Sequence, residues 1–284
     1  MKVLVLGGNG MAGHVLRMHL SKSGRYSVWY TVRQKTDDRQ AVRLDVTDWP
    51  TVVRAVRLLR PDAVINATGI LNEAAERNVR EAIHVNSLFP HQMAQLGEQM
   101  GFRFVQISTD CVFSGRRGDY RENDTPDGTT VYAQTKRLGE VTAGPHVTIR
   151  TSIVGPELRD GIGLFHWFMK QTGKIQGYRN VYWNGVTTVE LAKAVDWTLQ
   201  KPEITGVVHL AAPKKISKYQ LLVLFKETFK REDVTIEPYD DIVSDKSLVN
   251  TRADFTFAVS PYHHMMQEMA EWIRTHSCYR YPTK

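Results

Sequence analysis

The sequence predicts a doubly wound α/β fold, in which a parallel β-sheet carries helices on both faces, followed by a smaller C-terminal lobe. Three observations lead to this prediction. Apolar segments alternate with segments of helical periodicity, a glycine-rich turn follows the first apolar segment, and FRFVQIST lacks the polar alternation of a half-solvated strand. Strands that alternate with helices form βαβ units, and these build a parallel sheet.

The first half of the chain carries most of this alternation. The predicted strands are KVLVLG, YSVWYTVR, AVRLDV, PDAVINATG, FRFVQIST and HVTIRTS. The predicted helices are MAGHVLRMHLSKSG, DWPTVVRAVRLLR, a segment over about residues 81–100, and one after the polar loop of residues 110–129. Asp48 and Pro50 mark the start of the second helix, because an aspartate N-cap and an early proline both favour helix initiation. We assign residues 1–156 to a first domain.

The remainder, residues 157–284, has a looser pattern. It opens with the glycine- and aromatic-rich segment GLFHWFMKQTGKIQGYRNVYWNGVTT. Three helices, TVELAKAVDWTLQ, SKYQLLVLFKETF and SPYHHMMQEMAEWIRTH, are predicted around the strand GVVHLAA. We expect mainly a smaller lobe here, and leave open that a strand and a helix return to the main sheet.

Composition restricts the classes of function. The 284 residues are 42% hydrophobic and 24% charged, as in ordinary globular proteins, and no apolar run approaches the ~20 residues of a membrane span. The apolar start is too short for a secretory signal, so a cytoplasmic protein is expected. Two cysteines give neither a disulfide framework nor a metal site. The net charge of +7 is scattered, which suits phosphate-bearing small molecules or a solvated surface better than nucleic acid.

The stretch GGNGMAG is typical of a phosphate-binding turn. Gly7, Gly10 and Gly13 fit one glycine register, and Gly8, Gly10 and Gly13 fit another. Either register uses glycine for a tight turn, close approach of phosphate, and close packing of helix on strand. The helix that follows would direct free N–H groups and its positive dipole end at the anion. We interpret the turn as a Rossmann-like dinucleotide site rather than a structural turn.

The second strand indicates which dinucleotide is preferred. A site for NAD usually has an acidic residue at the end of this strand, whereas this chain has Arg33. A guanidinium suits a 2′-phosphate, so NADPH is predicted, with NADH left open because Asp37 and Asp38 follow closely. Asp45, after the third strand, either meets the adenine edge or caps the next helix.

Tyr132 and Lys136 form the candidate catalytic pair. Their spacing of four places both side chains on one helical face, although a surface tyrosine beside a surface lysine has the same spacing. A nearby ammonium favours the phenolate, so Lys136 is expected to lower the pKa of Tyr132 from its ordinary value of about 10. Such a phenol could protonate the alkoxide that forms when a ketone is reduced.

Together these motifs resemble the extended short-chain dehydrogenase/reductase superfamily. The glycine turn, NATG at the fourth strand, STD at the fifth, and the Tyr–Lys pair occur in its order. Within it, ISTDCVFSG, the VN at Val85 and Asn86, and RTSIVGPE resemble dTDP-4-dehydrorhamnose reductases and related nucleotide-sugar 4-ketoreductases. The specific motifs cover residues 1–156. Cys111 stands where these reductases usually have tyrosine, which bears on the sugar more than on the reaction.

The resemblance assigns roles to particular residues. Thr109, Tyr132 and Lys136 are the implied catalytic residues, with Lys136 also bonding the nicotinamide ribose. The expected cofactor contacts are Gly7, Gly10, Met11, Arg33, Asp45, Val46, Ala67, Thr68, Gly69, Asn86 and Lys136. The expected substrate contacts in the C-terminal lobe and beside Thr109 are Asp110, Cys111, Arg179, Asn180 and Trp183. Tyr182 is a further aromatic candidate there.

The implied activity is NAD(P)H-dependent reduction of the 4-keto group of a 4-keto-6-deoxy nucleotide sugar, in deoxysugar and polysaccharide precursor biosynthesis. The alternatives are a nucleotide-sugar epimerase on the same fold and a non-catalytic NADP-binding regulatory subunit. A dehydratase is disfavoured because Cys111, rather than a second acid, follows Asp110. Retention of all three catalytic residues argues against a pure binding subunit. The sequence leaves open whether the protein forms a homodimer.

Overall fold

The structure is a computed structural model that describes residues 1–159 and 161–281. Its strands are β1 Lys2–Leu6, β2 Ser27–Val32, β3 Ala41–Arg43, β4 Ala63–Asn66, β5 Arg103–Ile107, β6 Val147–Thr151, β7 Ile153–Val154, β8 Gly173–Tyr178, β9 Val181–Trp183, β10 Val186–Thr187, β11 Gly206–Leu210, β12 Ile216–Ser217, β13 Val234–Tyr239 and β14 Ser244–Asp245.

The helices are α1 Met11–Lys22, α2 Trp49–Leu59, α3 Asn72–Arg77, α4 Val79–Ala82, α5 Phe89–Met100, α6 Val131–Leu138, α7 Leu164–Met169, α8 Thr188–Leu199, α9 Lys218–Thr228 and α10 Tyr262–Thr275. A π-helical segment spans Ile83–Leu88, and a 3₁₀ turn spans Asp110–Val112. The Asp48 side chain caps α2 by accepting from the Thr51 N–H, as the sequence predicts.

The predicted doubly wound sheet is confirmed. Seven strands lie in the order β11–β6–β5–β4–β1–β2–β3, and every pairing among them is parallel. Parallel alignment brings the carboxyl ends of β1, β4 and β5 to one edge, and this edge carries the glycine turn, the NATG loop and Thr109. Such an edge is where open α/β sheets bind ligands.

Both faces of the sheet are buried, and β1 shows how the sequence encodes this. Val3 and Val5 pack in a cluster with α1 and α8, whereas Leu4 and Leu6 pack in a second cluster with α2 and α5. Alternate residues of a strand point to opposite faces, so a strand covered on both sides must be apolar throughout.

The C-terminal half builds a lobe of its own and also completes the main sheet. Short sheets pair β8 with β13, and β9 with β12 and β14. The strand β11 returns to the edge of the main sheet beside β6, and α8 packs against α1. Helix α10 joins the two parts, because Met265 and Trp272 lie in the main core while Met266, Met269 and Ile273 lie in the core of the lobe.

The predicted helix over residues 81–100 is interrupted. The π-helical segment separates α4 from α5, and the Phe89 N–H bonds the carbonyl of His84, five residues earlier. Proline has no N–H, so Pro90 cannot supply the ordinary α-helical bond to the carbonyl of Asn86. The sequence analysis did not use this proline, and the break places Asn86 at the interface with α6.

A buried ion pair lies behind the sheet edge. Glu140, just after α6, accepts two hydrogen bonds of 2.7 Å from the Arg150 guanidinium, and both side chains are 5% exposed. The hydroxyl of Ser108 donates to the same carboxylate at 2.7 Å. No helix among the described residues is long and apolar enough to cross a membrane.

We expect Glu140→Gln to lower the free energy of unfolding by about 3–5 kcal/mol, because it leaves the buried Arg150 charge without its counter-ion. Equilibrium denaturation measures this change. Glu73→Gln is the control, since Glu73 pairs with Arg77 on the exposed surface, where such pairs contribute about 0–1 kcal/mol. Equal losses in the two variants would contradict the prediction.

Candidate active site

The structure resolves the register of the glycine turn. Gly7 has a φ of +78°, and its carbonyl accepts a 2.9 Å bond from the Gly10 N–H. A Cβ on Gly13 would lie 2.1 Å from that carbonyl oxygen, so only glycine lets α1 pack here. The turn therefore uses Gly7, Gly10 and Gly13. Gly8 is constrained separately, because a Cβ there would lie 2.5 Å from the Tyr30 ring.

A cavity of about 380 Å³ lies over this turn. The predicted cofactor residues that line it are Gly7, Gly10, Arg33, Asp45, Val46, Ala67, Thr68 and Gly69. Helix α1 begins at Gly10 without a side-chain cap, which leaves the N–H groups of its first turn for a ligand. The cavity thus combines N–H donors with a surface free of Cβ atoms, as a dinucleotide diphosphate requires.

Asp38, near Arg33, is held in other contacts. Asp38 accepts from the Tyr30 hydroxyl at 2.6 Å and from the Gln40 N–H, and neither Asp37 nor Asp38 lines the cavity. Arg33 does line it.

Asp45 accepts two bonds from Thr47, which lower the pKa of its carboxyl group, and it does not cap α2, because Asp48 does.

Three predicted cofactor residues do not line the cavity, namely Met11, Asn86 and Lys136. The Asn86 amide is buried, and it bonds both the N–H and the carbonyl of Ile70 at 2.9 Å and the Thr135 hydroxyl at 3.1 Å. Asn86 therefore joins the cavity wall to α6. The cavity also includes Asn9, Thr31 and Arg159, which the sequence analysis missed. Asn9 was detectable inside GGNG, whereas Thr31 and Arg159 carry no motif.

Thr109 and Tyr132 meet at the carboxyl end of β5. The Thr109 hydroxyl lies close enough to the Tyr132 phenol to lower its pKa. Thr109 also accepts from the Cys111 N–H and donates to the Asp110 carboxylate, each at 3.1 Å. The two predicted catalytic hydroxyls thus lie together, beside Asp110 and Cys111.

The expected lowering of the pKa of Tyr132 is wrong. Burial raises the pKa of the phenol, the neighbouring Cys111 and Asp110 raise it further, and Thr109 only partly opposes them. Desolvation disfavours the phenolate more than any nearby cation favours it. Tyr132 therefore keeps its proton at neutral pH, which is the state that a proton donor needs.

Lys136 lies one turn beyond Tyr132 and is 4% exposed. Its ammonium donates to the carbonyl of Ile107 at 2.7 Å. Burial lowers the pKa of Lys136 to about 8, while the Glu140 carboxylate acts in the opposite direction. The side chain is thus fixed at the end of β5.

Arg179 and Asn180, predicted to contact substrate, lie instead in an exposed turn. Arg179 forms an ion pair with the Asp240 carboxylate, and the Asn180 amide donates to the Asp240 carbonyl at 2.9 Å. The interactions brace the turn against the segment after β13. Both side chains therefore have structural partners in this structure.

Cys111 lies beside the candidate catalytic hydroxyls, and Trp183 is packed nearby in the lobe. The Trp183 indole is 2% exposed and donates to the Ser152 hydroxyl at 3.1 Å. The Lys218 ammonium lies 5.4 Å from the centre of its ring, and the Lys246 ammonium lies 3.7 Å from Cys111 Sγ. The sequence analysis did not identify either lysine. Burial raises the pKa of Cys111 to about 11, so the thiol is not poised as a nucleophile.

Known proteins are similar to this chain over most of its length. The sequence model of the RmlD substrate binding domain matches residues 1–247. The spore coat polysaccharide biosynthesis protein SpsK of Bacillus subtilis is 30% identical over 159 residues, covering 54% of this chain and 53% of SpsK. The chain therefore spans about half the length of that relative.

A second relative is matched over more of its length. The dTDP-4-dehydrorhamnose reductase of Salmonella typhimurium is 25% identical, covering 83% of this chain and 81% of that protein. A solved dTDP-4-dehydrorhamnose reductase of Bacillus anthracis, in complex with NADP, has a TM-score of 0.81 at 18% identity, covering 97% of this chain and 99% of that structure. At that identity the likeness shows the fold.

The buried Lys136 predicts a pH-dependent stability. Its pKa is lowered in the folded protein, so between about pH 8 and 10.5 the unfolded chain binds a proton that the folded protein does not. Over this range the free energy of unfolding should rise with pH in the wild type relative to Lys136→Met, by at most about 1.4 kcal/mol per pH unit. Denaturation curves at pH 7.5 and 10 measure this difference, and an unchanged difference would contradict it.

Proposed function

The chain belongs to the RmlD substrate binding domain family, and on that premise we propose that it reduces the 4-keto group of a 4-keto-6-deoxy nucleotide sugar with a nicotinamide cofactor. The observation that carries the proposal is the contact between Thr109 and Tyr132 at the sheet edge that also holds the glycine turn. A proton donor and a hydroxyl that can hold a ketone oxygen thus lie on the same side of the sheet as a dinucleotide cavity.

Tyr132, Thr109 and Lys136 each have a separate role in ketone reduction. Tyr132, kept neutral by burial, donates its proton to the oxygen that becomes an alkoxide. Thr109 hydrogen-bonds the same oxygen and fixes its position next to Tyr132. Lys136 holds its ammonium at the end of β5, where its charge stabilises the phenolate that remains after proton transfer.

The cavity over the glycine turn fits NADPH. Gly7, Gly10 and the uncapped start of α1 bind the diphosphate, and Arg33 is suited to a 2′-phosphate. When bound, the cofactor supplies the hydride. Asp38 is occupied by Tyr30 and Gln40, so it does not offer the ribose the acidic contact that favours NAD. NADH remains a weaker alternative in the same cavity.

The direct test is to incubate the protein with NADPH and a panel of 4-keto-6-deoxy nucleotide sugars while following the loss of nicotinamide absorbance. Tyr132→Phe should lower turnover by ~10²-fold or more, the scale of a lost positioned acid, and leave cofactor affinity unchanged. The phenyl ring keeps the packing of Tyr132, so the variant isolates the hydroxyl.

Three outcomes would contradict the proposal. Equal rates for the wild type and Tyr132→Phe would exclude Tyr132 from the chemistry. Conversion of a sugar without net consumption of NADPH, by protein that purifies with bound NAD, would instead indicate an epimerase. Binding of NADPH with no turnover on any substrate would indicate a regulatory subunit.

Arg33→Ala tests the choice of cofactor. We expect it to weaken NADPH binding by about 10-fold or more, because a charge-assisted hydrogen bond contributes about 1.5–3 kcal/mol, and to leave NADH binding nearly unchanged. Fluorescence titration of the two reduced cofactors measures both affinities. Arg39→Ala, an exposed arginine outside the cavity lining, is the control. Equal losses for NADPH and NADH would contradict recognition of the 2′-phosphate.

A further inference from the structure

We propose that Lys218 and Lys246 form the subsite that binds the diphosphate of the nucleotide-sugar substrate. The inference rests on the proposed function for the identity of the anion, and on the placement of two lysines for the site itself. It differs from the sequence-based prediction, which placed phosphate contact at Arg179 and Asn180.

The two lysines lie beside the small sheet of the C-terminal lobe. Lys218 directly follows β12 and Lys246 directly follows β14, and both of these strands pair with β9. The Lys246 ammonium reaches Cys111 Sγ at 3.7 Å, and the Lys218 ammonium lies over the Trp183 ring. Asp110 and Cys111 raise the pKa of Lys218 while the Lys246 ammonium lowers it, so all three side chains lie near Lys218.

This region adjoins the catalytic hydroxyls. Cys111 and Asp110 directly follow Thr109, and both act electrostatically on the Tyr132 phenol. An anion held by the lysines would therefore lie within one substrate's length of the reacting ketone. A nucleotide sugar has its diphosphate on the anomeric carbon, a few bonds from the 4-keto group.

The lysines have no carboxylate partner to account for their position. Neither Lys218 nor Lys246 forms a salt bridge with any residue that the structure describes. The neighbouring Lys215 provides the contrast, because it pairs with Asp119 at 2.9 Å and with Asp245 at 2.7 Å. Both side chains are half-buried, and a bound anion would offset the cost of desolvating the Lys218 ammonium.

The local charge favours an anionic ligand. Asp110 supplies one negative charge near Lys218, while the two lysines supply two positive charges that repel each other. Burial lowers the pKa of Lys218 to about 8, and a bound diphosphate would raise that pKa again. The Trp183 ring packs against Lys218 and holds it in place. Lysine binds phosphate as a compact point charge, which suits a diphosphate approached from two sides.

Calorimetric titration with dTDP, inorganic diphosphate and thymidine tests the subsite directly. Lys218→Met and Lys246→Met should each weaken dTDP binding by about 10-fold, the scale of one lost charge-assisted hydrogen bond, with a larger loss in the double variant. Inorganic diphosphate should lose affinity in parallel, and thymidine should not. Binding of NADPH should be unaffected, which shows that each variant is folded.

Matched variants separate charge from position. Lys214→Met removes the same charge from an exposed side chain in the same segment and should leave dTDP binding unchanged. Lys218→Arg and Lys246→Arg keep the charge and should retain much of the affinity. Wild-type affinity for dTDP in the double methionine variant would overturn the proposal, as would an equal loss in Lys214→Met.

The outcomes for the subsite and for the reaction are distinguishable. If lysine-dependent binding of dTDP occurs but no 4-keto sugar is reduced, the subsite stands and the proposed function fails. If reduction proceeds with the same KM in the wild type and the double methionine variant, the function stands and the subsite is refuted.

Discussion

The docking of α6 against the π-helical segment is the interaction on which the candidate site depends. Asn86 bonds the Thr135 side chain, and Ser87 bonds the Thr135 carbonyl at 2.8 Å. At the end of α6, a Cβ on Gly139 would lie 1.8 Å from the carbonyl oxygen of Asn86, so the helix can approach this closely only with glycine there. This close packing buries Lys136 and desolvates Tyr132, and the same Asn86 anchors the cavity wall at Ile70.

Burial, rather than the nearby ammonium, sets the protonation state of the catalytic pair. Sequence spacing alone suggests two groups that tune each other through space. In the folded protein both groups pay for lost solvation, which raises the pKa of Tyr132 and lowers that of Lys136. The result still suits ketone reduction, because a neutral phenol can donate a proton to the oxygen of the reduced ketone.

The features that the sequence predicts well are those that depend on residues close together in the chain. Three such local patterns are the apolar run of β1, the glycine turn with its two possible registers, and the spacing of Tyr132 from Lys136. The sheet and the closeness of Thr109 to Tyr132 agree with them. Features that depend on distant contacts were missed. The sequence predicts that Arg179 contacts substrate, but its guanidinium instead pairs with Asp240, 61 residues later. The segments that carry Lys218 and Lys246 join one small sheet only through pairing with β9, which no local pattern predicts.

The path of the chain through its two parts has a consequence for cooperativity. Strand β11 lies in sequence between β9 and α9 of the lobe, yet it covers the edge of β6, and α10 packs into both cores. A fragment of residues 1–156 alone would lack β11. Strand β6 would then be an edge strand, and its unpaired backbone groups could pair with another molecule. The two parts are therefore expected to unfold in a single transition. A change that destabilises the C-terminal lobe should then also unfold the cavity over the glycine turn, rather than disturb the lobe alone.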